Sequence, residues 1–178
     1  MKKVYLVLTY TGTVLAKVIK YYTHAEYSHI SIALDEKLEE MYSFGRIYSY
    51  IPFYGGYVHE RLDRGTYKRF KNTDASIYTL DVTDEQYEII EKLVHEMYEN
   101  RYKYRFNVIG LFANGLNIKF MERRNYFYCV EFIKYVFKNA NIDIKLPRLA
   151  RPNDFKKVKE LSLEYKGKLR FYKTGEVC

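Results

Sequence analysis

Apolar and polar positions change period several times along the chain, and the changes mark its elements. Val4 to Thr9 is β-branched and aromatic and predicts a strand, and after Gly12-Thr13 the apolar positions Val14, Leu15, Val18, Ile19 and Tyr22 fall at helical spacing. Ser28 to Leu34 alternates, with His29, Ser31 and Ala33 on one face and Ile30, Ile32 and Leu34 on the other, the pattern of a half-buried strand. Asp35-Glu36-Lys37-Leu38 predicts a hairpin loop and Glu39 to Phe44 the returning strand. Gly45 to Asn72 carries Pro52, Gly55-Gly56 and Gly65 among tyrosines and basic residues, and reads as a long irregular segment of the kind that holds substrate contacts on a scaffold.

Ala75 to Val82 predicts another strand. Thr83-Asp84-Glu85-Gln86 matches a capping box and opens a helix whose stripe is Tyr87, Ile90, Val94 and Met97. His95, among Glu91, Glu96 and Glu99, reads as a solvated surface residue. Phe106 to Leu116, apolar with Gly110 and Gly115, predicts a short helix or turn. Cys129, Phe132, Ile133, Val136, Phe137 and Ala140 form one helical stripe, Pro152-Asn153-Asp154 a further helix start, and Leu163 to Tyr172 a terminal hairpin around Gly167. Mixed helices and hairpins, rather than regular βαβ alternation, predict an α+β fold. A length of 178 residues without repeat or linker predicts one domain over 1–178.

Composition narrows this picture only a little. The formal charge of +8 and pI near 9.2 favour anionic partners such as cell-wall polymers, lipid surfaces or nucleic acid. The 21 tyrosines, beside abundant Lys, Ile and Asn and no Trp, have a compositional explanation and do not by themselves signal a base-stacking platform, so no nucleic-acid partner is expected. Two cysteines, Cys129 and the terminal Cys178, make a poor disulfide framework and fit a reducing compartment. The apolar run after Met1-Lys2-Lys3 breaks at Thr9-Tyr10-Thr11-Gly12, too soon for a signal peptide, and nothing approaches the ~18 apolar residues of a membrane span. A cytoplasmic location is therefore expected.

The candidate chemistry centres on Cys129. A cysteine on an apolar stripe is most often a small buried hydrophobe. This one, however, follows the polar stretch Arg123-Arg124-Asn125-Tyr126 and begins the periodicity, which puts it at a helix N-terminus, where free amide donors and the dipole stabilise a thiolate. An imidazole beside it could take the proton. His29 is the best-placed base because it begins a strand and shares its face with two small residues; His24 is second, and His59 could touch substrate. Four scattered histidines and two cysteines lack metal-ligand spacing, and no cofactor is expected. For a third group that fixes the imidazole, Glu40 would pair near Ala33, roughly 13 Å from His29 at strand spacing. Ser43 falls opposite Ser31 or within one register step, and is favoured. Glu131 reads as a charge favoured by the helix dipole. The oxyanion donor expected is the amide of Cys129.

The blocks Thr11-Gly12-Thr13, Ser28-His29-Ile30-Ser31-Ile32-Ala33-Leu34-Asp35, Met41-Tyr42-Ser43-Phe44-Gly45-Arg46, Phe127-Tyr128-Cys129-Val130-Glu131-Phe132 and Arg151-Pro152-Asn153-Asp154-Phe155, in that order, resemble the permuted papain-like amidases of the YiiX/YaeF type, within the NlpC-type cysteine peptidase superfamily. The resemblance spans nearly the whole chain. It implies a circularly permuted papain-like fold, with an antiparallel sheet or partial barrel packed against the cysteine-bearing helix, Cys129 as nucleophile and His29 as base. Some relatives carry a glutamate or histidine in the returning strand, where this chain has Ser43. The implied activity is hydrolysis of an amide in a small peptide, often cell-wall-derived, and related permuted folds transfer lipid acyl groups. Acyl transfer or thioester cleavage by the same dyad, with an apolar groove under Gly45 to Asn72, and a basic non-catalytic binding module both remain open alternatives.

Overall fold

A computed structural model describes residues 1–23, 25–48, 51, 54–107, 110 and 125–172. His24, most of Phe106 to Leu116, and Cys178 lie outside the described residues.

The first strand, β1 (Lys2–Tyr10), is followed by helix α1 (Val14–Thr23). The turn between them needs Gly12, whose φ of 66° is open to glycine at no steric cost, and Thr13 Oγ1 accepts from the Ala16 amide to start the helix. Next come β2 (His29–Ala33) and β3 (Met41–Arg46). Between them the Asp35 carboxylate accepts from the Glu39 and Glu40 amides, 3.1 and 2.7 Å away, closing the loop as expected. The supposedly irregular segment 45–72 instead holds a strand, β4 (Gly55–Glu60), and a short helix, α2 (Gly65–Arg69). Paired glycines ordinarily argue against a strand. Here they serve close packing: a Cβ on Gly55 would lie 2.7 Å from the Phe106 ring and 2.9 Å from the Gly45 carbonyl.

β5 (Asp74–Val82) leads into α3 (Asp84–Glu99), whose capping box forms as expected: Thr83 Oγ1 accepts from the Gln86 amide, and Gln86 Oε1 from the Thr83 amide. Two short strands, β6 (Arg105–Phe106) and β7 (Tyr126–Phe127), pair in parallel and precede α4 (Cys129–Asn139). Pro152–Lys157 is a 3-10 turn rather than an α-helix. The expected terminal hairpin is a single strand, β8 (Ser162–Lys168), antiparallel to β5 and followed by a 3-10 turn at Leu169–Phe171. Gly167 lies inside that strand because the Tyr165 hydroxyl covers it, 2.6 Å from where a Cβ would sit.

The architecture is α+β, with six antiparallel strands in the order β4-β3-β2-β1-β5-β8. Alternation assigns the two faces. Leu6, Leu8, Ile30, Ile32 and Phe44 look toward α3 and α4, whose Ile90, Val94, Phe132, Ile133 and Val136 complete the larger core. Val7, Ala33, Met41, Ile77 and Leu169 form a smaller cluster on the opposite face. Among the described residues no helix is long and apolar enough to cross a membrane.

Candidate active site

Cys129 is the first residue of α4 and His29 the first of β2, and their side chains meet at one end of the sheet. The helix start is held by Glu131, which accepts from the Tyr128 amide at 3.0 Å and from Asn107 Nδ2 at 3.2 Å. A carboxylate in the first turn also suits the dipole, which is the structural role expected of Glu131. Asn107 was not legible as a partner. Its amide hydrogen-bonds the Phe127 carbonyl, so the β6–β7 pairing carries it to the helix.

The side chain that meets the imidazole is that of Glu60, where Ser43 was expected. Glu60 Oε1 lies 3.1 Å from His29 Nε2, while Oε2 accepts from Ser31 Oγ and, at 3.4 Å, from the Tyr67 hydroxyl. Ser43 stands opposite Ser31, as the register predicts, since Ile32 pairs with Tyr42 and Ala33 with Met41. Its hydroxyl is close enough to favour the Glu60 carboxylate. Yet it is fully buried and meets no partner at hydrogen-bond geometry. Glu60 shares a face with Ser31 and Ser43, since β4 pairs with β3 through Met41 and Glu60, and its side chain extends along that face to the histidine. Nothing fills the position between them: a Cβ on Gly45 would lie 3.3 Å from His29 Cε1 and 3.4 Å from Glu60 Oε1. Glu40, the alternative considered, lies elsewhere, on His95 Nε2 at 3.2 Å. His95 is thus half-exposed and paired rather than simply solvated.

Electrostatics ties the three groups together. Burial works against a charged His29, but the Glu60 carboxylate and the Cys129 sulfur beside the ring outweigh it and raise the imidazole pKa to about 10. Burial likewise disfavours the Glu60 carboxylate, yet His29 and the hydroxyls of Ser31 and Ser43 hold its pKa below the usual value. The arrangement favours imidazolium between a carboxylate and a sulfur. With Nε2 on Glu60, Nδ1 is the ring nitrogen left for Cys129.

The sulfur-bearing residue is 4% exposed, whereas the His29 side chain retains 20% of its surface, so solvent reaches the imidazole. Cys129 and His29 line a cavity of about 60 Å³ with Thr11, Thr13 and Arg46. That is room for a few water molecules. His59 stands apart, stacked on Tyr42 with its Nε2 2.6 Å from the Glu39 carbonyl. Among the described residues no group of three or more His, Cys, Asp or Glu is placed to hold a metal ion. Comparison with protein-family models and with curated proteins finds no match.

Proposed function

We propose that the protein is a cysteine hydrolase of the permuted papain-like kind, acting on an amide bond. The observation that carries this reading is the convergence, in one small cavity, of a helix-opening thiol with an imidazole whose other nitrogen is held by a largely buried carboxylate. In this mechanism Cys129 attacks the carbonyl as thiolate, and the amide of Cys129 helps hold the oxyanion. His29 then gives its proton to the leaving amine and takes one from the water that releases the acyl-enzyme. Glu60 keeps the ring in register and stabilises its charge.

The order along the chain, histidine before cysteine, and a helix laid on an antiparallel sheet support the permuted papain-like assignment. Small peptides, including those of cell walls, are the substrate class the resemblance suggests. The groove beside the cavity is walled by arginines and tyrosines, which favours a polar substrate over a lipid acyl chain. A non-catalytic basic module would have no use for the imidazole–carboxylate pair.

The test is hydrolysis of fluorogenic peptide amides, cell-wall stem peptides and phospholipids by the purified protein and its Cys129→Ala variant. Turnover of a peptide amide that disappears with the sulfur is expected. Full turnover by Cys129→Ala, or turnover of phospholipid alone, would reject the assignment.

A further inference from the structure

Described residues of β4, α2 and the 98–105 stretch line a second depression, a groove of about 640 Å³ that shares Arg46, Glu60, Thr66 and Tyr67 with the cavity around Cys129. The two spaces therefore adjoin across these residues. Among the described residues five arginines line the groove, Arg46, Arg61, Arg64, Arg101 and Arg105, against one carboxylate, Glu60. That carboxylate is already engaged by His29, Ser31 and Tyr67. Arg61 is matched by Asp63 at 2.9 Å, while Arg101 reaches a backbone carbonyl and the face of the Tyr98 ring, contacts that leave its charge uncompensated. Arg105 is exposed. Arg46 stands where groove and cavity join, half-buried, with its guanidinium over the Phe70 ring at 5.6 Å. A guanidinium held against a ring loses little freedom when it binds, and its fork of donors matches a carboxylate or phosphate.

Resting on the hydrolase reading, we infer that the substrate carries a carboxylate or phosphate near the bond to be cleaved, that Arg46 receives this group, and that the arginine-lined groove draws the rest of the anion in. The charge of the groove selects the substrate; the thiol and imidazole only cleave it. This gives part of the chain's positive charge a location and a use.

The experiment compares alkylation of Cys129 by iodoacetate and by iodoacetamide, which differ in charge but react with the same sulfur by displacing iodide. Rates are read on the peptide containing Cys129, so that Cys178 does not contribute, with glutathione as the reference thiol. The iodoacetate-to-iodoacetamide ratio should exceed that of glutathione by about tenfold, as one charge-assisted contact allows. It should fall toward the glutathione value in Arg46→Gln, stay partly raised in Arg46→Lys, and collapse in wild-type protein at high salt. Glutarate and glycerol 3-phosphate are then tried as protectants against iodoacetamide. Protection by glutarate alone assigns a carboxylate, and protection by glycerol 3-phosphate alone a phosphate. A ratio equal to that of glutathione, a ratio unmoved by either Arg46 change or by salt, or protection by neither anion overturns the inference. These outcomes leave the hydrolase reading standing, whereas a Cys129 that neither reagent modifies removes that reading itself.

Discussion

The two faces of strand β2 obey different rules. Ile30 and Ile32 point into an apolar core shared with Phe132, Ile133 and Val136, where contacts are non-directional and volume is what matters. His29 and Ser31, their neighbours in sequence, point the other way, into hydrogen bonds with one carboxylate from β4. There His29, Ser31 and Glu60 are partnered by one another, and removing one leaves the others unmet. The comparison teaches that one short strand can present an apolar surface on one side and a polar network on the other. The meeting with Cys129 happens where the strand begins, at the end of the sheet.

Substitutions on the two sides should therefore separate stability from reactivity. Phe132→Ala removes a fully buried ring from the apolar side and is expected to cost about 3–5 kcal/mol in denaturant unfolding. The alkylation rate of Cys129 in the protein that remains folded should change far less. If Phe132→Ala instead left the unfolding midpoint in place, the core assignment would be wrong.

Glu60→Gln should do the opposite, lowering turnover about a hundredfold while the fold persists, because the imidazole keeps a hydrogen bond but loses its counter-charge. The pH dependence carries the sign. His29, raised from 6.5 to about 10, contributes stability that is fully present below pH 6.5 and lost as pH rises toward 10. Glu60, lowered from 4.5, contributes stability present above pH 4.5 and lost as pH falls through its depressed value. Wild-type protein should thus draw most on this pair between pH 4.5 and 6.5. Glu60→Gln should flatten both limbs of the stability profile and bring the alkaline loss of activity to lower pH. Identical pH profiles for wild type and variant would detach Glu60 from the imidazole. The smallest effect expected is that of Thr83→Ala, far from the site, at about 1 kcal/mol from the lost cap and with no change in the reactivity of Cys129.

Much of this arrangement was readable in the sequence where local chemistry alone decides it. The alternation at Ser28 to Leu34, the capping box at Thr83 and the helix opening at Cys129 each depend on a few neighbouring residues, and each has its structural counterpart. The register that sets Ser43 opposite Ser31 followed from the short hairpin. Glu60 was hidden because its strand begins with Gly55-Gly56, which reads as a breaker unless one knows that the Phe106 ring and the Gly45 carbonyl crowd the first and the Ile47 side chain the second. A hint was present: Tyr57, His59 and Val58, Glu60 alternate after the glycines. Gly167 misled in the same way, as a turn residue, when the Tyr165 hydroxyl is what excludes a side chain there. Both errors come from where particular side chains pack, Phe106 far along the sequence and Tyr165 two residues away, which composition and periodicity do not encode.

The central claim is that His29, steadied by Glu60, activates Cys129. It is tested most directly by the second-order rate of Cys129 alkylation with iodoacetamide at pH 6, in wild-type protein and in His29→Ala. Loss of the imidazole should slow the reaction about a hundredfold, toward the rate of a cysteine with no base beside it. Equal rates in the two proteins would contradict the account.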